Sequence, residues 1–196
     1  GICARVQTTN PLYNLPLDGK IADVRIYDAE LTASQISDLY AGTDVTANLV
    51  GHYLTDNDDV EDKAGTNDGT NFGSTYSYDN PPMDLVPSRQ RSRFFDGFND
   101  YVDLGDSDDF SFTDGAGNDQ PFSLASWVKM DSNNKFRVLH KSSSVSGVYI
   151  NELFFGTIGS GEFCFLISGN SNWYGINTPT AIAQNEWVHI SATYDG

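Results

Sequence analysis

In the segment KIADVRIY the apolar residues Ala22, Val24 and Ile26 alternate with Asp23, Arg25 and Tyr27. That period of two predicts a strand with one wet face. The pattern then switches. Thr32 followed by Gln35 fits a capping box, and Leu31 and Ile36 flank it as a hydrophobic staple. Gly42 supplies a stop, so one short helix is predicted near the N-terminus. From Leu49 onward, apolar segments such as LVGHYL, SRFFDG, FSLASWVKM, VYINELFFG, EFCFLISG and EWVHISATY recur between turn-rich stretches. This rhythm signals an antiparallel sandwich and not a parallel sheet with crossover helices. In SLASWVKM, Leu124, Ser126, Val128 and Met130 share one side, with Ala125, Trp127 and Lys129 on the other. In WVHISATY, Val188, Ile190 and Ala192 oppose Trp187, His189 and Ser191. Between Phe72 and Arg93 the pattern fades amid prolines, which predicts a long surface loop.

Several stretches taken together (NLVGHYLTDNDDVEDKAGTNDGTNFG, RFFDGFNDYVDLG, PFSLASWVKM, LHKSS and EWVHISATYDG) resemble successive signatures of laminin-G-like modules of the concanavalin-A-like lectin/glucanase superfamily. The closing signature of that family is similar to DGKIADVRIYDAELTASQISDLYAG, which here stands at the front. The resemblance therefore implies a single module over residues 1–196 in rotated order, or a window cut across two tandem copies. Residues 1–45 correspond to its C-terminal part and 46–196 to its N-terminal part, and one family strand between the two ends is missing. A strand and a short helix are marginal in isolation, so residues 1–45 are expected to pair at an edge of the sandwich and pack on residues 46–196. The rival arrangement completes a neighbouring molecule, giving a strand-exchanged dimer or other homo-oligomer.

Composition narrows the partners. The 196 residues carry a formal charge of -16, which repels nucleic acid and anionic membrane surfaces. No apolar run is long enough for membrane insertion. No leader segment is evident, so a secreted protein would have lost one or the chain is an excised piece. Cys3 and Cys164 either bridge or stay as buried free thiols, the second being preferred.

Three kinds of chemistry bear on these residues: hydrolysis, cation binding and sugar binding. Retaining glucanases need paired carboxylates about 5 Å apart on one strand, and Glu152, Glu162 and Glu186 stand isolated, while His52, His140 and His189 lack a nucleophile-like neighbour. The chain is read as not an enzyme. Hard oxygen ligands cluster in TDNDDVEDKAGTNDG without EF-hand spacing, and a calcium loop and a solvated acidic loop stand level on these residues. The family resemblance implies Ca²⁺ held by Asp62 and Asn67 of the early loop and Asp23 of the closing strand. The second acidic run, from Asp106 to Asp119, reads as solvated. Finally, Trp173 and Tyr174, flanked by Asn170 and Asn172 in a turn-like setting, offer an aromatic platform with amides for a sugar, while a core-capping role for Trp173 stands beside it. Trp127 and Trp187 read as core.

The expectation is an all-β antiparallel β-sandwich, a concanavalin-A-like jelly roll, with one short helix. Its expected role is a non-catalytic carbohydrate-binding or adhesion module on a cell surface, secreted or in a virion, with a glycan or surface protein as partner. A purely structural spacer or assembly module is the second reading, and a degenerate glycoside hydrolase the third.

Overall fold

The computed structural model describes residues 17–53, 60–82, 92–105, 107–114, 116, 118–132, 135–145, 148–169 and 172–196. In chain order the strands are β1 (Asp18–Tyr27), β2 (Leu49–Tyr53), β3 (Thr70–Phe72), β4 (Thr75–Ser77), β5 (Ser92–Asp96) and β6 (Tyr101–Asp103). They continue with β7 (Phe122–Met130), β8 (Arg137–Val145), β9 (Val148–Thr157), β10 (Glu162–Gly169), β11 (Asn172–Ala181) and β12 (Trp187–Tyr194). One α-helix, α1 (Ala33–Tyr40), follows β1, and a 3-10 turn spans Asp108–Phe110. The pairing is antiparallel throughout these strands.

Two sheets carry the molecule. The larger runs β12-β7-β1-β5-β4, with β2 also on β1, and the smaller runs β11-β10-β9-β8, while β3 and β6 form a separate ribbon. Ile21, Val24, Ile26, Leu124 and Val128 of the larger sheet meet Leu139, Leu153, Phe155 and Phe165 of the smaller one in the main core. This is the all-β antiparallel sandwich that the short apolar segments predict.

The expected edge pairing of the opening segment is replaced by a central position. β1 lies against β7 on one side, and against β5 with its first half and β2 with its second half on the other. Its apolar content explains the seat, because from Ile21 to Tyr27 every residue is buried, and a strand covered on both faces belongs inside a sheet. Between Ala22 and Arg25 the register with β7 slips by one residue, and Asp23 takes a left-handed φ of 53°. This bulge turns Ala22 onto the outer face with Trp127, while Val24 and Ile26 stay in the main core. Ala22 therefore does not share a face with Val24 and Ile26, as strict alternation had implied.

At Gly19 the approach of β1 to β7 leaves no room for a side chain. Its φ is 150°, and a Cβ there would stand 2.2 Å from the Lys129 carbonyl oxygen. Gly19→Ala is expected to lower stability by about 2–3 kcal/mol, read by urea melts at constant m-value.

The helix forms as its local signals dictate. The Thr32 hydroxyl accepts from the Gln35 N–H, and the Gln35 side chain accepts from the Thr32 N–H at 2.9 Å. Gly42, at φ 82°, donates its N–H to Leu39 O at 3.0 Å and ends it. Leu31, Leu39 and Val45 cluster with Tyr27 and Ala125, and Ile36 packs on them, so α1 covers the outer face of the larger sheet. Trp127 is buried on that outer face too, in a separate small cluster with Ala22 and Trp187, and Tyr40 stacks on it at 5.4 Å; its core is not the space between the sheets. Ser123 fastens the β1–α1 link, accepting from Leu31 N–H at 2.9 Å and donating to Ala29 O at 2.8 Å.

Inside the predicted loop, Thr75–Ser77 pairs with β5, and residues 83–91 lie outside the described residues. Cys164 is a buried free thiol whose pKa burial pushes up to about 12. Cys3 lies outside the described residues.

Candidate functional site

Trp173 and Tyr174 belong to β11 and not to a turn. The glycine, asparagine and proline of NWYGINTPTA suggest a bend, but pairing with β10 from Asn172↔Gly169 to Asn177↔Cys164 holds the segment extended. Adjacent strand residues point to opposite faces, so the two rings are separated. Tyr174 stands across from Ile167 and Ile176 across from Phe165, and directly opposed residues share a face. That face is the inner one, since Phe165 is in the main core and Ile167 packs against it. Trp173 is on the other face. All three are open to solvent, with Trp173 45%, Tyr174 56% and Ile176 68% exposed. Asn172 begins β11, and Asn170 lies outside the described residues.

Beside Tyr174 lies a cleft of about 330 Å³ between the ends of the two sheets. Ile167 and Ser168 of β10, Phe122 of β7, Tyr194 of β12, Lys141 of β8 and the Phe110–Thr113 segment enclose it. Phe112 stacks flat on Phe122 at 4.2 Å, and Tyr194 tilts against Phe122 at 5.7 Å. The polar groups sit around these rings. Lys141 Nζ donates to Phe110 O at 3.2 Å and to Ser111 Oγ at 2.5 Å, and the Tyr194 hydroxyl donates to Asp119 Oδ2 at 3.4 Å. Apolar walls with a few placed polar groups are the usual make-up of a small-ligand site. Sequence reasoning missed this cleft, and it had set Asp119 aside in a solvated run. Its lining is spread from residue 110 to residue 194 with no local spacing to find.

Of the three residues expected to hold calcium, two are brought together. Asp62 is buried, and its carboxylate accepts from the N–H groups of His52 (2.9 Å), Ala64 (3.0 Å) and Asn67 (3.3 Å). The Asn67 amide donates to Asp109 Oδ2 at 2.8 Å. Asp23 is engaged elsewhere. Arg25 Nε donates to both of its oxygens, at 3.0 and 3.1 Å, and His52 Nε2 lies 2.7 Å from Oδ1. A guanidinium spread over both oxygens is the wrong neighbour for a divalent cation, so Asp23 does not fit calcium. Among the described residues no three His, Cys, Asp or Glu side chains converge on a point that would hold a metal ion.

The outer face of β1 thus carries an ion-pair network. Arg25 Nη2 continues it to Asp44 Oδ1 at 2.9 Å. Burial works to raise the pKa of Asp23, but the His52 hydrogen bond and the Arg25 charge outweigh it and hold the carboxyl below its usual value. His189, in ring contact with Trp127 at 5.2 Å, is pushed down to about 4, mainly by burial and further by Arg25, against an upward pull from Asp23. The His52–Asp23 pair has a guanidinium as its third member, where hydrolytic chemistry would need a nucleophile. Glu162, at the start of β10, is lowered by the Ser160 hydroxyl, the opposite of the raised pKa a general acid requires.

Among the described residues no helix is long and apolar enough to cross a membrane. No curated protein and no solved structure matches the chain. A family model, Laminin_G_3, described as the concanavalin A-like lectin/glucanases superfamily, matches residues 95–196, the stretch that runs from the end of β5 through β12 and builds the whole smaller sheet and the cleft. A chain with this two-sheet antiparallel body and this match belongs to the concanavalin A-like lectin/glucanases superfamily.

Proposed function

We propose that this protein is a non-catalytic glycan-binding or adhesion module working outside the cell, on a cell surface or a virion. The family supports carbohydrate binding or adhesion in general terms. The observation that carries the reading for this chain is Tyr174, solvent-open on the inner face of β11 and directly across from Ile167, which lines an aromatic-walled cleft. An exposed phenol ring can lie against the apolar face of a pyranose, and the nearby hydroxyl, carboxylate and ammonium groups can meet its hydroxyls. On a glycan array, Tyr174→Ala is expected to weaken binding about tenfold with an unchanged melting temperature. Trp173→Ala, on the opposite face, is expected to leave binding nearly as it was.

We further propose that residues 1–45 correspond to the closing part of the module and 46–196 to its opening part. The seat of β1 between β7 and the β5/β2 pair supports this reading.

A purely structural role is favoured by one feature. β11 has β10 as its partner among the described residues and carries no charged residue from Asn172 to Ala181, whereas edge strands usually bear charges that block assembly. Concentration-dependent sedimentation together with a blank glycan array would support assembly over recognition.

Because Arg25 and His52 take the carboxylate of Asp23, excess chelator is expected to leave the melting curve unchanged. A rise in melting temperature on adding calcium would restore the cation site.

A further inference from the structure

We propose, resting on the glycan-binding reading above, that the cleft receives one neutral pyranose at the free end of a glycan and does not grip the middle of a chain. The first argument is its closed floor. Phe122 and Leu153 line it and are both buried members of the main core, so the cleft ends on the core between the sheets. A polysaccharide passing through would need a way past that floor, and two buried core residues stand there.

Size gives the second argument. At about 330 Å³ it sits at the small end of the range for ligand pockets, roughly 300 to 1,000 Å³, which leaves room for one substituted six-membered ring. Its walls are held in place from both sides. Lys141 ties down Phe110 and Ser111, and the Tyr194 ring rests against Phe122 with its hydroxyl turned to Asp119. A fixed pocket loses little ordering entropy when it binds, which suits recognition of a single small unit.

The third argument is chemical. The aromatic lining of Phe112 and Tyr194 suits the apolar C–H face of a sugar, while Asp119 and the Tyr194 hydroxyl can pair with its hydroxyl groups. A carboxylated or sulfated sugar is opposed by Asp119 of the lining and by a net charge of -16, while the Lys141 ammonium of the same lining is engaged by Phe110 O and Ser111 Oγ. Glycans are attached through their reducing end, so the end left free to enter is the non-reducing one. Further sugar units would leave the cleft over Tyr174, which lies across from Ile167 of the lining.

The experiment uses the full chain. A glycan array identifies the strongest neutral structures, which are then trimmed by exoglycosidase; methyl glucopyranoside, galactopyranoside and mannopyranoside are run as competitors. Removing the terminal unit should cost tenfold or more in apparent affinity, and the methyl glycoside of that unit should compete where the others do not. Asp119→Asn and Tyr194→Phe, both isosteric, should each weaken binding about tenfold with the melting temperature unchanged. The inference is overturned if trimmed glycans bind equally well, if sulfated or sialylated structures are preferred, or if both variants bind as the parent does while Tyr174→Ala still fails. In each of those results the glycan-binding reading survives. A blank array with intact protein would sink that reading, and the inference with it.

Discussion

Arg25→Met is expected to destabilise the fold by about 3–5 kcal/mol, the largest effect of any single substitution considered for this chain. Arg25 is 2% exposed, bridging Asp23 through Nε and Asp44 through Nη2. Methionine matches the aliphatic stem but leaves the Asp23 carboxylate buried with His52 alone. A buried charge that loses its partner costs far more than the pair contributes, because its desolvation is no longer offset. The network is already imperfect, since Arg25 Nη1 is buried without a hydrogen-bond partner among the described residues. Removing both charges should therefore be milder than removing one. In guanidinium melts, Asp23→Asn combined with Arg25→Met is expected to recover a good part of the loss. Equal loss in the single and double variants would show that packing by the Arg25 stem, and not charge, is what the site provides.

Acid is the second large effect. His189 has its proton affinity depressed to about 4 in the folded chain, against an ordinary 6.5. Between those values the unfolded chain binds the extra proton and the folded chain does not, so stability falls as pH drops from 6.5 to 4. Above 6.5 this group contributes no slope. The full shift converts to about 3 kcal/mol, and partial solvent access to the ring brings the expected loss to about 2 kcal/mol. The depressed Asp23 carboxyl adds a loss of the same sign at still lower pH, as it takes up the proton that breaks its pairing with His52 and Arg25. Melting temperatures from pH 8 to 4 check this, and His189→Gln should flatten the curve above pH 4. An unchanged slope in that variant would assign the acid sensitivity to other groups.

Much of the architecture was legible because its signals are local. The capping box of Thr32 and Gln35 and the stop at Gly42 act within one or two turns, and the helix lies where they put it. The alternation in β7 and β12 was also legible, with Leu124 and Val128 in the main core and Trp127 on the outer face, and with Ile190 and Ala192 inward. Both strands pair along unbroken registers with each other, so a period of two survives intact.

Where the reading failed, a distant partner had intervened. The bulge in β1 arises only against β7, a hundred residues away, and it moves Ala22 to the other face. β11 carries turn-forming residues, but its ladder with β10 overrode them and placed Trp173 and Tyr174 on opposite sides. The charge of Asp23 was visible in the sequence, whereas its pairing with His52 was not, since that depends on β2 lying beside β1.

The sequence by itself determined the all-β class, the capped helix after β1 and the membership in the superfamily, since periodicity, capping and motif order are written in short windows of chain. Tertiary structure alone decided the central seat of β1, the partners of Asp23 and the cleft beside Tyr174. Those depend on sheet order and register, which are set by which apolar faces bury one another across long stretches of sequence.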